Sequence, residues 1–283
     1  MILITGATGT IGRELAQELH ERGAEFRALV RDPDRAVDLP WSAERVVGDL
    51  DEPATLTHAF DGVEALFVLT PGIDSTHTAH AVAAAGAAGV GRVVLLSSSF
   101  VSGDDMPAMG RHHHEREQLV RDSGIPATVL RSGGFMTEAL EWAATIREEG
   151  YVLDPVGPGR HAPVDPADVA AVAALALTED GHQGQEYVLT GEEAFTIVEQ
   201  VRILSRVIGR DIAVRAVDTP DEAIRLRFPD GLPQAVADVI AEAFAHVRAD
   251  TVGLRTDTVE RLLGRKPRSF EEWCARNASA FLD

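Results

Sequence analysis

The chain has 283 residues, enough for one large α/β domain or a domain with a smaller appendage, and enough to bury a sizeable core. Its 45 acidic side chains against 26 basic ones give a formal net charge of −19. Such a surface repels phosphate backbones, so no nucleic-acid partner is expected. One cysteine, Cys274, excludes an intrachain disulfide framework and fits a reducing cytoplasm. The first apolar run starts at Ile2, leaving no room for a signal peptide, and no run is long enough to span a membrane; a cytoplasmic location is expected.

The chain opens on an apolar run, Ile2–Thr5, followed by three glycines, Gly6, Gly9 and Gly12, and then a helical pattern over Ile11–Arg22. Strand, glycine turn and helix form the unit that holds a dinucleotide. Gly6 permits the turn, Gly9 lets the backbone approach a pyrophosphate, and Gly12 lets the helix pack closely. The free N–H groups around Thr8, Thr10, Ile11 and Gly12 point at the phosphates, where the helix dipole favours negative charge. The second strand, Phe26–Val30, ends in Arg31, with Arg35 one helical turn later. A carboxylate at this place takes the ribose hydroxyl of NAD, whereas an arginine accommodates the extra phosphate of NADP. Arg31 offers two charge-assisted hydrogen bonds to that phosphate, so NADP(H) is favoured over NAD(H).

Further strands are expected at Arg45–Val47, Ala65–Leu69, Arg92–Leu96 and Ala127–Leu130, with helices at Pro53–Phe60, Thr76–Ala88, His112–Ser123 and Phe135–Glu149. The alternation predicts βαβ crossovers and a doubly wound parallel sheet of Rossmann type, with ligands at the carboxyl ends of its strands. After the third strand, Asp49 can accept from an adenine amino group and Leu50 can cover a ring face; a helix cap at Asp51–Pro53 explains the same region. Thr70 and Pro71 follow the fourth strand and should pass the cofactor's middle. Ser97 follows the fifth and should reach the nicotinamide end, although serine is also an ordinary turn residue. Phe100, Phe135, Met136, Trp142 and Tyr151 can line a pocket for a flat or aromatic small molecule, or lie in the core.

The second half contains a helix at Pro166–Leu177 opened by Asp165, a strand at Glu186–Leu189, a helix at Ile197–Ile208 closed by Gly209, and a strand at Ile212–Val217. Helices should dominate from Asp221 onwards. Residues 1–150 are expected to form the NAD(P)-binding core, and 151–283 a mixed segment that returns to that core and builds a small C-terminal α/β subdomain for substrate. His112, His113 and His114 are consecutive, so their side chains fan about 100° apart and do not converge on a metal; no metal is expected. No G-x-S-x-G elbow supports a hydrolase.

Together these segments resemble the NmrA-like branch of the atypical short-chain dehydrogenases/reductases. The resemblance lies in TGATGTIG (5–12), ALVRDP (28–33), GDL (48–50), VLLSS (94–98), GIPATVLRSGGF (124–135), VDPADVAAVA (164–173), GQEYVLTG (184–191) and VERLLGRKPRSFEEW (259–273). It covers nearly the whole chain and implies a Rossmann fold, an NAD(P)H cofactor and a small-molecule substrate. Typical short-chain dehydrogenases use a tyrosine with a lysine four residues later. Here the tyrosines are Tyr151 and Tyr187, followed at that spacing by Pro155 and Gly191, and the only lysine is Lys266. The resemblance puts Met109 at the tyrosine's place and His113 at the lysine's. His113 therefore becomes a candidate for ribose binding or proton transfer, with an ordinary pKa suited to neutral pH, and Ser97 a second catalytic candidate. Ser132 stands where the family has a proline, and Glu138 where an asparagine is common, which would give the substrate pocket a carboxylate. Three functions remain open here: an NADPH-dependent reductase of a quinone-like, enone or other carbonyl compound acting by direct hydride transfer; a non-catalytic NADP(H)-binding redox sensor, the one case that needs a protein partner; or a non-redox cyclase or dehydratase.

Overall fold

The computed structural model describes every residue except 102–105, 229, 252 and 283. Its contacts divide the chain into two compact units that interleave instead of meeting after Gly150. The first comprises Met1–Val101, Arg111–Ser132 and Pro166–Val188; the second comprises Ser102–Gly110, Gly133–Asp165 and Leu189–Asp283.

The first unit is built around a seven-stranded sheet. In chain order its elements are β1 (Ile2–Ile4), α1 (Thr10–Glu21), β2 (Phe26–Val30), β3 (Glu44–Val47), α2 (Leu56–Ala59), β4 (Ala65–Val68), α3 (Thr76–Ala88), β5 (Arg92–Ser98), α4 (Ala108–Asp122) and β6 (Ala127–Ser132). Between β6 and the chain's return lie α5 (Ala143–Glu149) and β7 (Tyr151–Asp154), which belong to the second unit; α6 (Pro166–Thr178) and β8 (Glu186–Leu189) then complete the sheet. The strand order is β3-β2-β1-β4-β5-β6-β8, with parallel pairing from β3 through β6. The chain winds outward from β1 to β3, then back past β1 to β4, so the crevice for a ligand lies beyond the ends of β1 and β4.

Strands covered on both faces read as continuous apolar runs, and β1 and β4 are buried at every position. On one face Leu3, Leu29, Leu66, Val68, Val93 and Leu95 pack under Phe60, Val82 and Val120 from the covering helices. Elsewhere in the unit α1 packs on α6. Leu15, Ala16 and Leu19 of α1 are fully buried, and α6 buries an almost unbroken run of alanine and valine from Val169 to Ala174. The small side chains let the two helices approach closely.

The second unit holds α5, β7, α7 (Ile197–Ile208), β9 (Ala213–Ala216), α8 (Pro220–Arg227), α9 (Gln234–Arg248), α10 (Thr258–Leu263) and α11 (Phe270–Arg276). β7 and β9 form a two-stranded parallel sheet. The unit's own core gathers Ile146, Val152, Val201 and Leu204 around Phe270, Trp273 and Phe281, with Phe270 and Trp273 stacked 5.7 Å apart. α7 starts on a capping box in which Thr196 and Glu199 exchange side-chain and backbone bonds, and ends on left-handed Gly209. No helix among the described residues is long and apolar enough to cross a membrane.

Beyond shifted ends, such as α4 starting at Ala108 instead of His112, three segments differ in kind from the expected pattern. The expected Phe135–Glu149 helix is a 3₁₀ turn, Met136–Trp142, followed by α5. Its start is tied sideways: Phe135 bridges Val164, and the Met136 N–H donates to the Val164 carbonyl instead of closing an α-turn. Likewise Pro53–Phe60 is a 3₁₀ turn followed by the single turn of α2. The third is β7, a short strand whose partner β9 lies about sixty residues on.

Candidate dinucleotide cleft

Thr5 fixes the end of β1 to the end of β4. Its N–H donates to the Phe67 carbonyl, its hydroxyl donates to the Leu69 carbonyl at 2.9 Å, and it accepts the Leu69 N–H at 2.9 Å. The chain then turns through Gly6 with φ +64°, a conformation that penalises any side chain. Gly12, in the first turn of α1, lies so close beneath that loop that a β-carbon there would sit 2.1 Å from the Gly6 carbonyl oxygen. α1 begins at Gly9 with no side-chain cap and no acidic residue in its first turn. Its leading N–H groups are therefore left for an anion.

A cleft of about 290 Å³ opens above this turn. Of the residues expected to hold a cofactor, Gly6, Thr8, Arg31, Arg35, Asp49, Leu50 and Pro71 line it. Arg31 and Arg35 are exposed, and neither side chain has an ion-pair or hydrogen-bond partner among the described residues. Asp32, a candidate to neutralise them, instead accepts the Asp34 N–H at 3.0 Å as the cap of a short 3₁₀ turn. Asp49 accepts the Asp51 N–H at 3.0 Å and still borders the cleft. The Leu50 segment is pinned from α3: the His80 ring donates to the Leu50 carbonyl at 2.6 Å, and His77 pairs with Asp51 at 2.7 Å.

Sequence reasoning missed several lining residues. Arg13 borders the cleft and lies 3.5 Å from Asp38; His77 reaches it from the first turn of α3. Arg13 carries a readable signal, a cation one residue after the last glycine, whereas His77 is brought in by the fold.

Other expected residues lie elsewhere. Gly9 and Thr10 are exposed at the helix start, while Ile11 is 4% exposed, so its side chain belongs to the core and only its backbone faces the loop. Thr70 is turned away to the Thr78 hydroxyl, 3.1 Å off, fixing the post-β4 loop to α3. Ser97 lies inside β5, in register with Arg131, not after the strand. It is 2% exposed and its hydroxyl donates a hydrogen bond to Glu117 at 2.6 Å, so that hydrogen is directed at Glu117 and not at a ligand. Glu117, on α4, is fully buried and also accepts from Arg131 at 2.9 and 2.7 Å and from Arg121 at 2.8 Å. Burial pushes its carboxyl up, but the hydrogen bonds from Arg131 and Ser97 and the charges of Arg131 and Arg121 outweigh this and hold it below the usual carboxylate range. This carboxylate was not anticipated; its only signal is its place one helical turn after His113.

His113 is partly buried on the inner face of α4, and its Nδ1 has no hydrogen-bond partner. Burial, reinforced by the neighbouring Arg116 charge, pushes its pKa down to about 4. The expected ordinary pKa is therefore corrected: His113 is neutral at pH 7. Phe100 is half-buried in a 3₁₀ turn after β5.

The pocket residues expected in the second unit also take other roles. Phe135 is half-buried. Met136 is 2% exposed and packs with Ile146 and Val152 in that unit's core, so it lines no pocket. Glu138 turns its carboxylate back to accept the Phe135 N–H at 2.9 Å. Tyr151 lies under the Arg215 guanidinium, 3.6 Å from the ring centre. Among the described residues there is no cluster of three or more metal-ligating side chains.

The close turn, uncapped helix start, two unpaired arginines and bordering carboxylate fit a phosphorylated dinucleotide. A family model described as NAD(P)H-binding matches residues 6–180. The chain is 39% identical to a (4-alkanoyl-5-oxo-2,5-dihydrofuran-3-yl)methyl phosphate reductase of Streptomyces griseus and 37% identical to an NAD(P)H azoreductase of Xenophilus azovorans, over 99% of each chain in both cases. Among solved structures it superposes on an NADPH-dependent quinone oxidoreductase from Escherichia coli complexed with NADPH, with TM-score 0.85 and 28% identity over 98% of this chain and 99% of that one. A Citrobacter triphenylmethane reductase complexed with NADP(H) gives TM-score 0.84 and 26% identity over the same shares. Fold and cleft thus define a Rossmann-type NAD(P)H-binding protein. The chain belongs to the NAD(P)H-binding family, and its relatives are consistent with the resemblance to NmrA-like atypical short-chain dehydrogenases/reductases.

Proposed function

We propose that the protein is an NADPH-dependent reductase that delivers a hydride directly to a small, electron-poor conjugated acceptor such as a quinone, an azo compound or an enone. The observation that carries the cofactor choice is the pair of guanidinium groups, Arg31 and Arg35, that stand at the cleft without a partner among the described residues. Arg31 and Arg35 hold the 2′-phosphate, the leading N–H groups of α1 hold the pyrophosphate, and Asp49 with Leu50 borders the adenine. When bound, the reduced nicotinamide supplies the hydride.

The acceptor class rests on the proton donors among the described residues, none of which is free to serve that end. Tyr187 is buried in β8 with its hydroxyl 2.9 Å from His182, and Lys266 is held by Glu192 and Glu260 at 3.0 and 2.9 Å. Tyr151 is covered by Arg215. His113 is neutral, and the Ser97 hydroxyl is committed to a hydrogen bond donated to Glu117. An acceptor that spreads incoming negative charge over a conjugated system can take a hydride without a protein acid and collect its proton from water. A simple ketone cannot do so readily. The curated relatives point the same way: their names specify an unsaturated furanone phosphate and azo compounds.

The test follows NADPH absorbance with 1,4-naphthoquinone, an azo dye and cyclohexanone as separate acceptors. NADPH oxidation is expected with the first two, and at least about a hundredfold slower with the ketone, the weight of a missing general acid. Absence of acceptor-dependent oxidation, a faster rate with NADH, or equal rates with the ketone would overturn the proposal.

A further inference from the structure

The inner face of α4 is unusual for a helix covering a sheet. Where apolar side chains would pack, successive turns carry His113, then Arg116 and Glu117, and only then Val120. Arg116 is 4% exposed and Glu117 fully buried, so this adjacent pair of opposite charges is taken out of water, at a desolvation cost that something must offset. What each charge touches differs. Arg116 donates to two backbone carbonyls of the loop after β4, Gly72 at 2.6 Å and Asp74 at 2.9 Å. Glu117 accepts a hydrogen bond from the Ser97 hydroxyl at the end of β5 and another from Arg131 of β6, tying the two strands together. β4 and β5 are neighbours in register, Val68 beside Leu95, so the two tethered segments lie side by side at the ligand edge.

Their place along that edge identifies what they serve. Arg31 follows β2, and the order β2-β1-β4-β5 puts β5 three strand spacings away, roughly 14 Å. A dinucleotide whose adenosine end lies at β2 and whose pyrophosphate crosses the glycine turn after β1 therefore carries its second nucleotide over the ends of β4 and β5. Pro71, which borders the cleft, is the residue before the tethered Gly72.

The geometry points to Arg116 as a positioning residue for the nicotinamide half of the cofactor: it holds the post-β4 loop to α4, while its neighbour Glu117 holds the end of β5 to the same helix. Arg116 acts through the loop backbone, not on the cofactor. Gly72 and Asp74 are themselves exposed, so without Arg116 water can satisfy their carbonyls and the loop loosens without the unit unfolding. The inference rests on the NADP(H) reading above, and its test separates the two.

Calorimetric titrations with NADPH and with adenosine 2′,5′-bisphosphate, which fills only the adenosine end, compare the wild type with Arg116→Met, Arg116→Lys and Glu117→Gln. Wild-type binding of both ligands upholds the cofactor reading; binding of neither overturns that reading and the inference with it. Arg116→Met is expected to weaken NADPH about 5–10-fold, the size of one or two net hydrogen bonds, and to leave the bisphosphate within twofold. Arg116→Lys should recover part of the loss. Glu117→Gln should show the same selectivity if it folds, and Arg116→Met decides the matter if it does not. Unchanged NADPH affinity in Arg116→Met, or equal losses for both ligands, overturns the inference.

Discussion

At Arg31 a full positive charge stands at the cleft with no anion paired to it among the described residues, in a molecule whose net charge is −19. Charge-assisted hydrogen bonds to such a group contribute about 1.5–3 kcal/mol net, so Arg31→Ala should weaken NADPH by at least about tenfold and leave NADH nearly unaffected. Fluorescence titration with both cofactors checks this; parallel losses would mean that the arginine does not read the phosphate. The position of Arg31 is legible in sequence because a strand end followed by a charge is a local pattern. Whether the charge is paired is not, since Asp32 and Asp34 stand beside it and only the fold shows Asp32 capping its own turn. The same limit applies to Ser97 and His113. Sequence places His113 on its helix but puts Ser97 after β5 instead of within it, and the hydrogen bond that Ser97 donates to Glu117 and the burial that keeps His113 neutral arise from packing between elements.

Among the elements, the glycine turn and α1 have the least room for change. Gly12→Ala would place a methyl 2.1 Å from the Gly6 oxygen, inside any permitted contact, and the obstacle is backbone. The helix must lift off its loop. Overpacking of this kind costs about 1–3 kcal/mol, so the melting temperature should fall by several degrees, and both cofactors should bind at least about tenfold more weakly because the N–H groups of α1 move with the helix. Differential scanning calorimetry with cofactor titration checks both effects; a variant with wild-type melting and affinity would show that the loop can yield. The strands β2 and β8 and the helices α3 and α7 match their expected limits to the residue, since each is bounded by a strong signal such as a left-handed glycine or an apolar run. β7 escaped notice for a physical reason: its four residues are stabilised by β9, which no local pattern announces. β5 and β6 run two residues past their apolar stretches, to Ser98 and Ser132, because Glu117 satisfies the polar side chains of Ser97 and Arg131 there.

For the molecule as a whole, two partly buried imidazoles set a response to acid. His113 and, in the second unit, His161 both have pKa values pushed down by burial from 6.5 to about 4. Above pH 6.5 both are neutral whether the chain is folded or not. As pH falls from 6.5 towards 4, the unfolded chain takes up protons that the folded chain refuses, so stability present above 6.5 is lost through that window, by roughly 2–3 kcal/mol for each histidine. The depressed carboxylates, Glu117 among them, respond only below about 4.5, which leaves the upper part of the window to the histidines. Urea unfolding at pH 7.5 and 5.0 should show this loss in the wild type and a smaller one in a His113→Gln/His161→Gln double variant; equal pH dependence in the two would exclude these imidazoles as the cause. The interleaving of the two units has a different kind of consequence. The chain passes from one to the other five times, at residues 101/102, 110/111, 132/133, 165/166 and 188/189. Neither unit is therefore a cassette that a single crossover between related genes could exchange. Any lineage that changed the chemistry of its second unit had to do so by substitution in place, with the cofactor-binding unit inherited alongside it, and a chimaera built at the bench would need every one of those junctions cut and rejoined.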